Sequence, residues 1–233
     1  MSPERFERIK QVLALRQPDL TLCMDQVHKG HNLSAAVRTA DAVGIHEVHG
    51  VFPETGVRMR PHTAGGSLNW VKVHRHRTIQ DAVAALRAQG MQIVVTNLSE
   101  QAKDFRDIDY TKPTALLVGQ ELQGISQEAL DLADHQVVIP MLGMVQSLNV
   151  SVASALILYE AQRQRQLAGL YQHCRLPEVE QQRLLFERGY PQLAQQCKRK
   201  GLPYPSIDAA GGVQASDQWW QQMRTSGDLH PEP

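Results

Sequence analysis

The sequence lacks the features of a protein stabilised by disulfides, of one that binds zinc through cysteines, and of one that spans a membrane. Its 233 residues include three cysteines, Cys23, Cys174 and Cys197, and no CxxC pair. This pattern indicates neither a disulfide framework nor a zinc site. The most apolar stretch, near residues 150–159, is much shorter than the roughly 18–20 residues that span a bilayer. Because no apolar signal segment follows the amino terminus, we expect no membrane association and a cytoplasmic location.

Several catalytic fingerprints are also absent. No GxGxxG opens a helix after the first predicted strand, which argues against a nicotinamide enzyme or an ordinary Rossmann methyltransferase. The sequence contains no GxxxxGK[ST], no GxSxG and no HExxH. His62, His74 and His76 are interpreted as part of a basic surface in preference to a metal site, and we expect no metal.

Charge is balanced in total but uneven along the chain. The formal net charge is zero, yet residues 58–77 carry five basic and no acidic side chains, and residues 160–201 carry eight basic against four acidic. Residues 97–134 carry eight acidic against three basic. Two basic segments in a neutral protein are compatible with a polyanion bound on one face, and equally with a solvated surface of uneven charge.

The hydrophobic pattern predicts three parts. Continuous apolar strands alternate with helices over residues 20–170, which predicts an α/β domain with a mostly parallel sheet and helices on both faces. Short helical extensions are predicted at residues 1–19 and 171–233, the latter with one polar helix over 178–200.

Three helix starts are predicted from capping residues. Asn32 is predicted to cap a helix that ends near residue 43, and Ser126 to cap a shorter helix. Ser147 is predicted to open a long helix that ends near residue 170. This last helix is apolar nearly all round, so we expect the sheet and a second subunit to cover it.

The first segment with chemical potential is 32–40, Asn-Leu-Ser-Ala-Ala-Val-Arg-Thr-Ala. A helix that follows a strand begins at the carboxyl edge of the sheet, where the ligands of parallel sheets bind. Arg38 lies among small apolar residues, and this spacing alone fits a surface arginine at least as well as a charge placed for function.

The second segment, 116–126, leads a buried strand into a turn bounded by Gly119 and Gly124. Glycines allow the backbone to approach a ligand closely. Glu121 within the turn could meet a ligand, or it could be an ordinary carboxylate near the start of a helix.

The third segment, 139–149, is an irregular apolar loop before the long helix. Its backbone polar groups cannot pair in a ladder, so a cofactor or local turns must satisfy them. Met141, Met144 and Leu148 would supply an apolar wall.

In this order and spacing, the three segments resemble the three motifs of the SPOUT superfamily in its SpoU/TrmH branch. The matching patterns are Asn-x-x-x-x-x-Arg-Thr-Ala at 32–40, Gly-x-Glu-x-x-Gly at 119–124, and Ile-Pro-Met-x-Gly followed by Ser-Leu-Asn-Val-Ser-Val-Ala within 139–153. The resemblance covers about residues 20–165. It implies an α/β fold with a C-terminal trefoil knot, a rare exception to the absence of knots in proteins, and it implies a homodimer.

The resemblance also implies a cofactor and its site. S-adenosyl-L-methionine would be held by Thr96, Asn97, Leu98, Gly119, Ile139, Met141, Ser147 and Leu148. The residues implied in catalysis are Arg38, Asn32, Glu121, Ser147 and Asn149. Arg38 would act beside the cofactor bound by the partner subunit.

The implied reaction is 2′-O-methylation of a ribose in RNA without a metal. The short extensions resemble those of the tRNA-modifying members, which implies guanosine 18 in the D-loop of tRNA as the target. The alternatives are another RNA, such as ribosomal RNA, and a non-catalytic RNA-binding protein on the same scaffold. The residues expected to contact tRNA are Arg8, Arg58, Arg60, Arg75, Lys198, Arg199 and Lys200.

Overall fold

The structure, a computed structural model, describes residues 1–52, 65–120 and 123–224. The chain divides into two compact units, one formed by Arg16–His173 and the other by Met1–Leu15 together with Cys174–Pro233. The amino-terminal residues therefore lie in one unit with the described residues that follow His173. Over the described ranges, no helix is both long enough and apolar enough to cross a membrane.

The helices and strands are numbered here in chain order. They are α1 (Pro3–Ala14), β1 (Leu20–Asp25), α2 (Gly30–Ala42), β2 (Glu47–Val51), β3 (Lys72–His76), α3 (Ile79–Ala88), β4 (Gln92–Thr96), β5 (Lys103–Asp104), β6 (Thr114–Val118), α4 (Gln127–Asp131), β7 (His135–Val138), α5 (Val150–Leu167), α6 (Glu178–Gly189), α7 (Pro191–Lys200), β8 (Ser206–Ile207), β9 (Val213–Gln214) and α8 (Asp217–Arg224).

The larger unit is built on one parallel sheet. Its described strands lie in the order β3-β2-β1-β6-β4-β7-β5, and every neighbouring pair is parallel. Strands β1 and β6 are buried along their whole length, as expected for a sheet covered on both faces. The predicted α/β class with a mostly parallel sheet is confirmed.

Helices cover both faces of this sheet. On one face, Leu33 and Val37 of α2 and Leu158 of α5 join the apolar core with alternate strand residues such as Leu22. On the other face, α3 and α4 pack on the strand residues that point the opposite way, including Ile93. Period-two alternation along each buried strand therefore supplies both cores.

Two of the predicted helix caps are wrong. Helix α2 begins at Gly30 after Lys29, so buried Asn32 lies in its first turn and is not the cap. Helix α5 begins after Asn149, whose side chain accepts a hydrogen bond from the Ser151 amide at 2.9 Å. For α5, serine and asparagine cap helices about equally well, so the sequence does not decide between Ser147 and Asn149. Helix α2 begins without a side-chain cap. The cap predicted for α4 is confirmed, since the Ser126 hydroxyl accepts from the Ala129 amide at 3.3 Å.

The single polar helix predicted over 178–200 is also wrong. The chain forms α6 and α7, separated at Tyr190, and Pro191 is the first residue of α7. Proline lacks an amide hydrogen and its ring clashes with the preceding helical turn, whereas the first position of a new helix accepts it. In this smaller unit, Phe186 packs against the rings of Tyr204 and Trp219.

A buried arginine at the end of α5 ties together three parts of the larger unit. Arg165 is fully buried, and its guanidinium lies 2.7 Å from the Asp19 carboxylate. It also donates to the Gln17 side chain and to backbone oxygens of Asp19, Tyr110 and Lys112. The charge is thus fully hydrogen-bonded, which is the condition under which a buried ion pair is tolerated.

We predict that Arg165→Met destabilises the protein by about 3–5 kcal/mol, because it leaves a carboxylate and several carbonyls without their donor. Arg163→Met on the same helix is the matched control. Arg163 is exposed and pairs only locally with Glu160, so its loss should cost about 0.5 kcal/mol or less. Urea unfolding of both variants checks this, and equal losses would contradict it.

Candidate active site

Three neighbouring strands end at one cavity. Because β6, β4 and β7 are adjacent and parallel, their carboxyl ends meet at the same edge of the sheet. A cavity of about 380 Å³ lies there, lined by residues that follow each strand, including Leu98, Gly119 and Ile139. Ligands of parallel α/β sheets bind outside this edge.

The remaining wall comes from the irregular segment 139–149 and the first turn of α5. Residues 139–149 belong to neither a helix nor a strand, and Met141, Ser147 and Leu148 line the cavity. The cavity is therefore lined by apolar side chains together with polar groups such as those of Asn97 and Gln146. Such a mixture suits a ligand that combines an apolar ring with polar ends.

All the residues predicted to hold a cofactor lie around this one cavity. They are Thr96, Asn97, Leu98, Gly119, Ile139, Met141, Ser147 and Leu148. The sequence reasoning did not include several other lining residues, among them Gln120, Gln123, Ile125, Gln146 and Ala153. These residues lie within or next to the predicted motifs in the sequence, and that proximity could have identified them.

Two glycines shape the turn after β6. Gln120 and Gly124 exchange backbone hydrogen bonds of 3.0 Å, and Gly124 has a φ of +72°, which favours glycine. A Cβ at Gly119 would lie 2.0 Å from the Gly124 carbonyl oxygen. Both positions therefore require glycine for the turn to close, and the turn presents backbone to the cavity. Glu121 lies outside the described residues.

A buried carboxylate fixes the far end of this turn. Asp25, at the end of β1, accepts a hydrogen bond from the Ser126 amide at 3.0 Å. The cavity wall is thereby attached to the centre of the sheet. The sequence reasoning did not identify Asp25, because the contact joins residues 101 positions apart.

Asn32 and Asn149 form a contact between α2 and the cavity loop. The Asn149 side-chain amide donates to the Asn32 oxygen at 3.2 Å. Since Asn149 also caps α5, the same side chain fixes the end of the 139–149 loop. These two predicted site residues are brought together, while neither lines the cavity itself.

Arg38 does not line the cavity of its own chain. Its side chain is exposed on α2, and a Cβ at Gly65 would lie 3.4 Å from the guanidinium carbon. Gly65 has a φ of +57°. The guanidinium is thus presented to solvent beside a backbone turn that carries no side chain.

Apolar side chains are exposed next to the cavity. Leu142 and Met144 of the cavity loop are completely exposed, and Val152, Leu156 and Tyr159 of α5 are about half exposed. Helix α5 was predicted to be covered on all sides, but within one chain its apolar surface is only partly covered. Exposed apolar patches of this kind mark interaction surfaces.

The basic residues predicted to contact RNA are not equivalent. Lys198 pairs with Glu187 at 3.1 Å, and Lys200 donates to backbone oxygens of Gln222 and Met223 at 2.8 Å. Arg199, between them, is exposed.

The predicted RNA contacts outside α7 differ in their surroundings. Arg8 is exposed on α1, and Arg75 lies over the Phe52 ring at 4.8 Å. Arg58 and Arg60 lie outside the described residues.

Curated relatives match this chain over most of its length. The tRNA (guanosine(18)-2′-O)-methyltransferase of Escherichia coli strain K12 is 62% identical over 97% of this chain and 100% of that protein. The enzyme of the same name from Thermus thermophilus is 56% identical over 76% of this chain and 92% of that protein.

Solved structures agree with these matches. The Aquifex aeolicus TrmH/SpoU tRNA modifying enzyme superposes with a TM-score of 0.77 at 43% identity, over 82% of this chain and 97% of that one. The SpoU methyltransferase AviRb from Streptomyces viridochromogenes, in complex with the cofactor AdoMet, gives a TM-score of 0.58 at 33% identity, over 65% and 62%.

Two family models cover most of the chain. The SpoU rRNA Methylase family model matches residues 19–159, and the model of the SpoU rRNA methylase C-terminal region matches residues 163–216. On these matches, the chain belongs to the SpoU methylase family.

Proposed function

We propose that this protein transfers the methyl group of S-adenosyl-L-methionine to the ribose 2′-oxygen of guanosine 18 in the D-loop of tRNA. The observation that carries the proposal is the 62% identity with the Escherichia coli tRNA (guanosine(18)-2′-O)-methyltransferase, which extends over 97% of this chain. A match of this extent includes both units of the chain, and therefore the regions that we expect to bind RNA as well as the cavity. A tRNA substrate agrees with a location in the cytoplasm.

The cavity suits the proposed cofactor. The Gly119–Gly124 turn closes only without side chains, so backbone is available to a ligand there. Apolar Leu98, Ile139 and Leu148 would enclose the adenine ring, and the polar groups of Asn97 and Ser147 would meet the ends of the molecule. When bound, the cofactor supplies an electrophilic methyl group on a sulfonium. The AdoMet complex of AviRb supports this assignment.

The chain threading around this cavity is part of the proposal. Segments after β4, β6 and β7 surround the same cavity, and the chain continues from the last of them into α5. We take this part of the chain to form the trefoil knot of the SPOUT superfamily, in which the cofactor-binding loops are held against each other. The similarity to the Aquifex aeolicus TrmH/SpoU structure supports this threading.

A second copy of the chain would complete the site. Arg38 lies outside its own cavity, and exposed apolar residues surround the cavity loop and α5. A symmetric dimer that buries α5 would cover these residues and would bring Arg38 of one protomer beside the cavity of the other. The Asn32–Asn149 contact would then position the helix that carries Arg38 relative to the cavity loop.

Arg38 would act as a permanent positive charge. A ribose hydroxyl is a weak nucleophile until its developing negative charge is stabilised or its proton is removed. A guanidinium stays protonated in proteins and can only donate hydrogen bonds. Arg38 would therefore hold the phosphate next to the target ribose and stabilise the forming 2′-oxyanion. It would not serve as the base. The 2′-hydroxyl proton would pass to water as the O–CH3 bond forms and the S–CH3 bond breaks, and S-adenosylhomocysteine would leave.

The acceptor atom can be tested directly with a synthetic tRNA. A tRNA that carries 2′-deoxyguanosine at position 18 lacks only the proposed acceptor oxygen. We expect methyl incorporation into the guanosine-18 tRNA and none into the deoxy form. Equal incorporation would show that another nucleotide is the acceptor, and incorporation only into ribosomal RNA would support the alternative substrate.

Replacement of Arg38 should separate catalysis from cofactor binding. We predict that Arg38→Ala lowers methyl transfer by about 100-fold or more. The affinity for S-adenosyl-L-methionine should stay unchanged, because Arg38 would contact the RNA phosphate and ribose and not the cofactor. Single-turnover transfer and calorimetric titration measure the two quantities. Arg87→Ala, an exposed arginine on α3, is the control. Retained transfer in Arg38→Ala would rule out the assigned role.

The basic end of α7 should bind tRNA mainly through Arg199. We predict that Arg199→Ala weakens tRNA binding and reduces the slope of log affinity against log salt by about one, with unchanged stability. Lys200→Ala should instead lower the stability of the smaller unit, because two carbonyls of α8 lose their donor. Binding at several salt concentrations, with thermal unfolding, distinguishes the variants. An unchanged salt slope in Arg199→Ala would argue against this contact.

A further inference from the structure

Strands β2 and β3 place four potential metal ligands on one face of the sheet. Their parallel register aligns His49 with His74 and Val51 with His76. Since side chains alternate along a strand, Glu47 and His49 of β2 project on the same side as His74 and His76 of β3. Strand β3 is the edge strand at this end of the described sheet.

The side chains converge closely. Ligand atoms of Glu47, His49 and His74 all lie within 4.8 Å of one another. The His74 Nε2 atom is 2.8 Å from the Glu47 Oε2 atom, and the His49 Nδ1 atom is 2.9 Å from the His76 Nε2 atom. The ring of His49 is nearly parallel to those of both other histidines, with interplanar angles of 16° and 14°.

The burial of these side chains distinguishes the cluster from an ordinary basic surface. His49 is buried, and Glu47, His74 and His76 are half-buried, so the pocket is protected but still open to a small ion. The Glu47 carboxylate lies 3.4 Å from the Lys72 ammonium and 4.0 Å from the His46 Nε2 atom, in addition to its contact with His74. A metal ion would replace the contacts that this carboxylate makes with His74 and Lys72.

We infer that Glu47, His49 and His74 form a binding site for a divalent transition-metal ion of the zinc class, with His76 as an additional ligand. Imidazole and carboxylate are ligand types that zinc accepts, with bonds of about 2.0–2.2 Å in a tetrahedral arrangement. Such bonds separate ligand atoms by roughly 3.3–3.5 Å. Separations of up to 4.8 Å therefore have to shorten by more than about 1 Å. The stacked imidazole rings also have to rotate so that nitrogens of different rings point at one ion, and the two internal hydrogen bonds are exchanged for metal bonds.

The ion would serve the fold and not the transfer reaction. Its ligands come from two strands, so it would cross-link the outer strand β3 to β2. The site lies on different strands from the cavity, which β4, β6 and β7 form. Binding to the folded state alone would raise the thermal stability of the protein as the ion concentration increases.

Zinc titration of the tag-free full-length chain, stripped with a chelator, tests the site. We expect one Zn²⁺ per chain by calorimetry, and at 100-fold excess over the dissociation constant a rise of the melting temperature on the order of 5 °C. Substitution of Co²⁺ should give visible absorption bands of a site with nitrogen and oxygen ligands.

Two matched histidine variants localise the binding. His74→Asn should weaken zinc binding on the order of 30-fold or more and reduce the thermal shift at the same zinc concentration to about a third or less, and Glu47→Gln should do the same. His173→Asn, a change at an exposed histidine outside the cluster, should leave both unchanged. Absence of stoichiometric binding and of cobalt bands in the wild-type chain would overturn the inference. Equal binding by the His74→Asn and wild-type chains would do so too.

Discussion

The parallel pairing of β6, β4 and β7 is the constraint on which the candidate site depends. It carries the segments after three strands, which are far apart in sequence, to one edge of the sheet. The Gly119–Gly124 turn and the 139–149 loop then close the cavity from two sides. Asp25 attaches the first of these segments to the neighbouring strand β1, and Asn149 attaches the second to α2. Both segments that close the cavity are therefore held by hydrogen bonds to the sheet or to a helix packed on it.

The proposed dimer would account for both Arg38 and the apolar surface of α5. Each is out of place in a single chain, since the arginine lies outside the cavity and the apolar side chains lie in solvent. A second copy would bury the apolar residues and give the guanidinium a substrate to contact. In this proposal the two units have different functions. The unit that contains Arg199 would bind tRNA phosphates, and the unit that contains the cavity would transfer the methyl group.

The sequence predicted the sheet well because its strands are buried. Thr114–Val118 is apolar throughout after its first residue, and the structure has a strand over those same residues. Local ambiguity caused the errors at the helix caps predicted for Asn32 and Ser147. The break before Pro191 was different, because proline at that position already marks the start of a new helix. The cavity residues came from the family resemblance, since spacing alone left Arg38 and Glu121 open. Contacts between strands could not be predicted from the sequence, because the register of β3 with β2 exists only in the fold. The interpretation of His74 and His76 as basic surface stays untested.

The most direct test of the central claim is to map the methylated nucleotide. Unmodified bulk tRNA would be incubated with the protein and S-adenosyl-L-methionine, digested, and analysed by mass spectrometry for 2′-O-methylated nucleosides and their positions. We expect 2′-O-methylguanosine at position 18 of the D-loop and no other new modification. Methylation at another position, on a base instead of a ribose, or in ribosomal RNA but not in tRNA would contradict it.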